Sequence, residues 1–515
     1  MAAIIHDYHF FIWLALSLAP AALYRARRLS KKGLTIAQRT GFVLLASAAG
    51  LLWSNALFVL ADHVTFSAVM AALFAVMSVV AGLLIGPICY GVLYICRRAS
   101  NASFLYDNRL FFALSVIWGV RLVTGKTVAD TLSIWHANSY VVNYSYGFAS
   151  RFLAGSILRL FAGDFVSEQE IYRFCFLTYV LLILLCSALL NRFYKNLPQK
   201  CRTAALFGIA CFVCCPGSIA AMWSSGNFGK LDVYGLICAL IGVALFRKMR
   251  SVPLRYLCLT LSACVAIAFY QGFVFLYFSI LATVMIADIA LAERGGETQK
   301  RVCCAAMAAG AVAVCFLCFQ FFSTLRFANV EEMYAALAAH TDIRMGKRSM
   351  EYEYFLPLSD AFGLVENVLH SEHRRLDMLV ELVLLSPLLF ALVYAVIRYN
   401  RISKKLRELL NGFNLSLLTV LFIVPQFLLN VDWGRWLTAI AIDVAFIFAY
   451  WLHCGDKRMT ALAKDLSERL VRNPLPYALL VLYLAMLGVF AVEGPSENVN
   501  SLYQFAFRVV SALGG

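Results

Sequence analysis

Apolar runs long enough to cross a bilayer recur from one end of this chain to the other. A helix needs about 20 apolar residues to cross about 30 Å of hydrocarbon, and the runs leave no room for a sizeable soluble domain. Of the 515 residues, 62% are hydrophobic and 14% are charged, whereas about 25% are charged in soluble domains. The sequence therefore predicts an all-α, polytopic integral membrane bundle, with residues 1–515 forming a single transmembrane domain.

About fourteen membrane spans are predicted, and several are short enough to indicate tilted or broken helices. Their approximate bounds are 7–24, 40–61, 66–95, 109–124, 171–191, 203–222, 233–247, 255–270, 273–291, 302–323, 377–398, 413–429, 437–453 and 475–493.

Lys and Arg are concentrated in every second connection between these spans. Short basic loops face the cytoplasm, so this bias predicts the orientation in the cell (plasma or inner) membrane. Both termini are then expected on the extracytoplasmic side, together with the loops at 125–170, 224–232, 324–376 and 430–436. The formal net charge of +15 follows from the same bias. It therefore does not indicate a nucleic-acid partner.

The outward loop at 125–170 interrupts the apolar sequence for the first time. From about Asn143 to Gly163 its residues alternate with helical spacing, which predicts an amphipathic helix lying on the membrane surface. The predicted apolar face comprises Val142, Ala149, Phe152, Leu153, Ile157, Leu160 and Phe161, and the polar face Asn143, Gly147, Ser150, Arg151, Gly155 and Arg159. Arg151 follows a Tyr-Ser-Tyr146-Gly-Phe turn, a position from which a guanidinium can bind an anion. The alternative is a helix that only anchors the loop.

Two short outward loops carry charges at the mouths of predicted spans. Lys230 and Asp232 are costly at such a position unless they are paired or functional, although the glycines and Asn227 beside them also suit a simple turn. Asp432 and Arg435 flank Gly434, where they either neutralise each other or present one guanidinium at a fixed depth.

The long outward loop at 324–376 contains Arg344 within a basic run, Thr-Asp-Ile-Arg-Met-Gly-Lys-Arg, that suits a phosphate or diphosphate. A solvated charged loop is the simpler interpretation of the same residues. Glu351 and Glu353 would point the same way on an extended strand, where they could share a divalent cation.

The layout and two motifs resemble GT-C-type polytopic glycosyltransferases and bacterial envelope polysaccharide polymerases. The motifs are Tyr-Ser-Tyr-Gly-Phe-Ala-Ser-Arg-Phe-Leu-Ala-Gly at 144–155 and Asp-Trp-Gly-Arg-Trp at 432–436. The resemblance implies transfer of a sugar or oligosaccharide from a polyprenyl (di)phosphate carrier to a glycan or lipid-linked acceptor on the extracytoplasmic face of the lipid bilayer, during cell-envelope polysaccharide biosynthesis.

By this resemblance the general base is Asp130 first and Asp232 second. The phosphate-binding residues are then Arg151, Arg344 and Arg435, with Lys230, Asp432 and Tyr146 completing the substrate site. The chain departs from the pattern because its outward loops hold no Asp-X-Asp pair and no large C-terminal soluble domain is present. Whether a divalent cation takes part is therefore left open.

Two other functions fit about fourteen spans. One is a transporter or flippase of lipid-linked oligosaccharide, for which internal repeats and a charged midplane cavity are typical. The halves of the sequence show no such repeat, and the charges gather in outward loops, so the enzyme is favoured. The other is an envelope scaffold, which would leave the outward Arg and Asp residues unexplained.

Overall fold

The computed structural model describes residues 106–125, 132–224, 226–292, 296–355, 372–400, 410–429 and 431–490 continuously, with parts of 14–20, 42–53, 75–89, 363–366 and 502–509. The chain divides into two compact units. One comprises Met1–Thr124 with Asn498–Asn500, and the other comprises Gly125–Glu497 with Ser501–Gly515.

The first unit is described only in part. Its apolar core includes Phe42, Ala46, Ile85 and Cys89, which are all buried against one another. The helix Arg109–Gly125, which runs to the boundary between the units, buries a side chain every fourth residue, as expected for one stripe of an α-helix. Predicted spans 7–24, 40–61 and 66–95 lie largely outside the described residues.

The second unit holds the charged loops and is built almost entirely of helices. The α-helices of eight or more residues are Ile134–Val141, Phe152–Ala162, Glu168–Lys195, Arg202–Cys214, Asp232–Lys248, Val252–Phe269, Phe278–Ala290, Gly296–Phe321, Val330–Ala338, Glu372–Asn400, Gly412–Thr419, Trp433–His453, Lys457–Arg472 and Leu475–Met486. Shorter helices are Phe273–Leu276, Lys347–Met350 and Val424–Leu429.

Six helical segments of the second unit are long and apolar enough to cross a membrane. They are Glu168–Lys195, Gln199–Trp223, Val252–Phe269, Gly296–Phe321, Leu379–Asn400 and Trp433–His453, and each overlaps a predicted span. In Gly296–Phe321 and Leu379–Asn400 only 17% and 11% of the apolar window is buried within the protein. Those exposed apolar faces are the surfaces that a bilayer would cover. The all-α class is thus confirmed for the described part, whereas the count of fourteen spans stays a prediction.

Several predicted spans are short or broken in the structure. The span predicted at 273–291 is interrupted at Tyr277, which separates Phe273–Leu276 from Phe278–Ala290. The segment at 413–429 passes from an α-helix through a 3-10 turn, Val420–Ile423, into a second α-helix. These breaks agree with the tilted or broken helices that the short apolar runs predict.

The predicted surface helix from Asn143 to Gly163 is shorter than expected. Asn143 instead caps a 3-10 turn, Tyr144–Tyr146, and Gly147–Phe148 pairs antiparallel with Thr324–Leu325. The α-helix occupies Phe152–Ala162 only. The prediction failed at its N-terminal half because pairing with a distant strand outweighed local helical spacing.

The faces of this helix also differ from the predicted pattern. Leu160 and Phe161 are 83% and 81% exposed, as an apolar membrane-facing surface requires. Gly155, assigned to the polar face, is buried against backbone. A methyl group at Gly155 would overlap the carbonyl oxygen of Val142 and lie 2.9 Å from that of Tyr140. The close approach of these two segments therefore requires glycine.

We expect Gly155→Ala to destabilise the protein by about 2 kcal/mol or more, since neither carbonyl can move without shifting its own segment. Thermal unfolding of the purified protein measures this loss. Gly208→Ala is the matched control, because Gly208 also lies in a helix but its Cβ would meet no atom within 4 Å. An equal effect of both substitutions would contradict the prediction.

Candidate functional site

Four charged residues from two loops form one buried network. Arg435 donates from Nε to Asp232 Oδ2 at 2.9 Å and from Nη2 to Asp232 Oδ1, so its guanidinium makes a bidentate contact with that carboxylate. Its Nη1 contacts Asp432 Oδ2, which also accepts from Lys230 Nζ at 2.9 Å. Side-chain exposures of 10% for Arg435, 8% for Asp232, 11% for Lys230 and 18% for Asp432 place all four away from bulk solvent.

A second ion pair lies on the other side of Tyr270. Arg151 Nη1 is 2.6 Å from Glu353 Oε1, with 23% and 18% of the two side chains exposed. The guanidinium carbons of Arg151 and Arg435 lie 5.2 Å and 5.9 Å from the centroid of the same Tyr270 ring. One aromatic ring thus links the two pairs. We call Arg151, Lys230, Asp232, Glu353, Asp432 and Arg435 the charged cluster.

The position of Arg151 is fixed by an unusual backbone conformation. Arg151 has φ of 79°, and among the described residues it is the one non-glycine residue with positive φ. Its amide donates to Ala268 O at 3.1 Å, while the neighbouring Ser150 hydroxyl donates to Ile267 O at 2.8 Å. Gln271 N donates back to Ser150 Oγ at 2.8 Å. These bonds hold the left-handed turn against the end of the Val252–Phe269 helix, so the strain is maintained beside a candidate site.

Buried aromatic hydroxyls hold the turn that carries Lys230. Tyr140 donates to Gly229 O at 2.8 Å, and Gly229 N donates to Tyr179 at 3.0 Å. His136 Nδ1 lies 3.0 Å from Phe228 O, so this nitrogen carries the ring proton. Burial, with a smaller contribution from the charge of Lys230, lowers the pKa of His136 to about 3. His136 is therefore a neutral packing and hydrogen-bonding residue at physiological pH.

The protonation of the cluster follows from burial and mutual charge. Burial and the nearby Arg435 together lower the pKa of Lys230 to about 8, although Asp432 opposes the change. Burial alone would raise the pKa of Asp432, but Lys230 and Arg435 outweigh burial and hold it below its ordinary value. Burial raises the pKa of Glu353 above its ordinary value although Arg151 opposes the change.

Several buried polar atoms around the cluster make no hydrogen bond. They are Asn227 Oδ1, Glu353 Oε2, Tyr354 Oη, Trp433 Nε1 and Trp436 Nε1. Buried polar groups are nearly always satisfied, and unsatisfied ones concentrate where a ligand or water binds. Asn227, Lys230, Asp232, Tyr277, Arg435 and Thr438 line a cavity of about 10 Å³, which holds about one water molecule.

The structure joins only some of the residues proposed from the sequence. Lys230, Asp232, Asp432 and Arg435 meet in one network, and Arg151 joins them through Tyr270. Asp130 lies outside the described residues.

Arg344 and Tyr146 lie apart from these contacts. Arg344 is exposed. The Tyr146 ring contacts Phe327, with centroids 5.4 Å apart, and its carbonyl accepts from Arg326 N at 3.0 Å.

Tyr270 was not proposed as a site residue from the sequence, and Glu353 was proposed only as a partner of Glu351 in holding a divalent cation. Glu351 and Glu353 were expected to point the same way on a strand, but Glu351–Phe355 forms a π-helical turn. Glu351 is therefore exposed while Glu353 turns inward to Arg151. Within the described residues no group of three or more His, Cys, Asp or Glu side chains is arranged to hold a metal ion.

Comparison with protein-family models, with curated proteins and with solved structures found no match to this chain. The site therefore has to be interpreted from its own geometry.

We expect Arg435→Gln to destabilise the protein by about 3–5 kcal/mol, because two buried carboxylates lose their shared cation. Combining it with Asp232→Asn should recover part of the loss, since one uncompensated charge is then removed. Thermal unfolding of the three variants measures this coupling.

The matched control is Arg469→Gln, which breaks an ion pair whose side chains are 46% and 38% exposed. We expect a change of about 1 kcal/mol or less there. A double variant less stable than Arg435→Gln alone would show that the network is not held by charge compensation.

Proposed function

We propose that this protein transfers a sugar or oligosaccharide from a polyprenyl phosphate or diphosphate carrier to an acceptor hydroxyl. The observation that supports this most directly is the charged cluster itself. It brings three cations, Arg151, Lys230 and Arg435, to the surroundings of a carboxylate with one unused oxygen, Glu353 Oε2. Glycosyl transfer from a phosphate leaving group needs these two elements together.

Glu353 is the general base in this proposal. Both oxygens of Asp232 accept from Arg435, whereas Glu353 uses Oε1 for Arg151 and leaves Oε2 without a partner. Oε2 takes the proton of the acceptor hydroxyl. The acceptor oxygen forms the new bond to the anomeric carbon as the bond from that carbon to the phosphate oxygen breaks. The bonding pair leaves with the phosphate, which departs as an anion.

The cations stabilise the charge that develops on the departing phosphate. Lys230 and Arg435 are fixed by Asp432 and Asp232, so their donors are oriented before substrate binds and little reorganisation is needed during the reaction. Asp232 is thus a positioning residue, because it acts through Arg435. Asp130 stays a second candidate for the base.

The polyprenyl chain would lie along the apolar surface that follows Arg151. The Phe152–Ala162 helix begins directly after Arg151 and exposes Leu160 and Phe161, and Phe165 beyond it is 51% exposed. A lipid tail on this surface would leave its phosphate near the left-handed turn.

We expect Glu353→Gln to lower transfer by about a hundredfold or more, because general-base catalysis contributes about 10²–10⁴-fold. The assay uses liposomes containing the purified protein, a labelled polyprenyl-linked sugar and acceptor lipid, with the new glycosidic bond as readout. Glu351→Gln is the matched control, since Glu351 is an exposed carboxylate two residues away and should retain full activity. Folding of each variant is verified by thermal unfolding.

The same liposomes separate the enzyme from a flippase. Movement of labelled lipid across the bilayer without any new glycosidic bond would overturn the proposed transfer and favour the transporter. Formation of a bond that is equally fast in Glu353→Gln and in the native protein would exclude Glu353 as the base.

The pH dependence of kcat/KM should show the deprotonation of Lys230. With a folded-state pKa of about 8, Lys230 loses its charge above that pH, and kcat/KM should fall by up to about tenfold per pH unit. Lys230→Arg should move the fall to higher pH because arginine stays protonated.

Stability should change in the opposite direction over the same range. The ordinary pKa of 10.5 exceeds the folded-state value of about 8, so between these values the unfolded chain binds a proton that the folded protein does not. The contribution of Lys230 to stability therefore rises with pH while activity falls. A loss of stability together with the loss of activity as pH rises would indicate alkaline unfolding instead.

A further inference from the structure

Arg247 lies at the opposite end of a helix that begins in the charged cluster. Asp232 is the first residue of the Asp232–Lys248 helix and Arg247 is near its last. At 1.5 Å per residue, the two lie on the order of 22 Å apart along the axis. Any ligand of Arg247 is therefore distinct from a substrate at the charged cluster.

The guanidinium of Arg247 is held by aromatic rings but its donors are unused. Its central carbon lies 6.0 Å from the ring centroids of both Phe193 and Tyr450. Its Nε and Nη1 atoms are buried and make no hydrogen bond. Burying an ion without acceptors costs several kcal/mol, so a positioned guanidinium with free buried donors indicates a bound anion.

The carboxylates of Asp288 and Glu297 at this end are already paired with other arginines. Asp288 Oδ1 lies 3.6 Å from Arg255 Nη1 and 3.2 Å from Arg301 Nη1, and Tyr256 donates to Asp288 Oδ2 at 3.2 Å. Arg301 also retains one buried donor, Nε, without a partner. Arg247 has no contact with Asp288 among these bonds. Arg247 Nε and Nη1 and Arg301 Nε thus remain without acceptors among the described residues.

We propose that Arg247 binds the phosphate group of an anionic ligand at these helix ends. Phosphate offers several oxygens on one centre, so it can accept from the unpartnered Nε and Nη1 donors of Arg247 and from a second cation such as Arg301. Two helices that are apolar enough to span a membrane end close to Arg247. Arg255, in the first turn of Val252–Phe269, contacts Phe246, and His453, the last residue of Trp433–His453, stacks on Phe193. A lipid head group and a soluble phosphate compound share this chemistry, and the experiment distinguishes them.

The test uses the purified full chain with two probes. One is inorganic phosphate in detergent solution, followed by ³¹P NMR and by the thermal midpoint, with potassium chloride at matched ionic strength. The other is a nanodisc of phosphatidylcholine with or without phosphatidic acid. We expect one or both probes to raise the thermal midpoint of the native protein. Arg247→Met should weaken the affinity for the probe by about tenfold, equivalent to about 1.4 kcal/mol of binding free energy.

Arg250→Met is the matched control, because Arg250 is an exposed cation on the same connection and should leave the response unchanged. Arg247→Lys keeps the charge but replaces the planar set of guanidinium donors by a single ammonium group, so it should also weaken binding. This variant serves as the test if Arg247→Met does not fold. A response to phosphatidic acid alone identifies a lipid head group, and a response to phosphate alone identifies a soluble ligand. Absence of both responses, or equal responses in native and Arg247 variants, would overturn the proposed site.

Discussion

The structure of the second unit depends on one buried guanidinium. Arg435 bonds both oxygens of Asp232, which is 203 residues distant in sequence, and also contacts Asp432. These contacts join the first turns of the Asp232–Lys248 and Trp433–His453 helices. Because an unpaired buried charge is far more costly than a paired one, neither helix end can move away without exposing the network to water or leaving an ion unpaired.

The left-handed turn at Arg151 extends this constraint to a third segment. Ser150 and Arg151 are bonded to the carbonyls of Ile267 and Ala268, so Tyr270 follows at a fixed place between Arg151 and Arg435. The left-handed turn and the Arg435 network thus contact the same Tyr270 ring. The Phe152–Ala162 helix begins directly after this turn, so the turn also fixes where that helix starts.

The sequence predicted the charged residues better than the segments that carry them. Charges at the mouths of apolar runs are costly unless paired, and this rule singled out Lys230 and Asp232, whereas Asp432 and Arg435 were noticed as a charged pair around a glycine. The rule could not assign partners, because pairing across 203 residues depends on helix packing. Glu353 was missed as a separate candidate since its burial results from a π-helical turn, and the Asn143–Ala149 half of the predicted helix failed because Gly147–Phe148 pairs with Thr324–Leu325.

Under the proposed function, access to Glu353 is the remaining physical requirement. The cavity beside Lys230 and Arg435 holds about one water molecule, which is too little for a sugar, and Glu353 Oε2 is buried. An acceptor can reach that oxygen only if the segment carrying it moves. This segment is held by hydrogen bonds from Asn138 to Ser349 at 2.5 Å and to Gly346 O at 3.2 Å, and by packing of Met350, Tyr352 and Tyr354. Moving this segment separates one ion pair, Arg151–Glu353, whereas moving the Asp232–Arg435 side would break three contacts among four more deeply buried charges. The energetics therefore assign motion to the Glu353 side and rigidity to the phosphate-binding side.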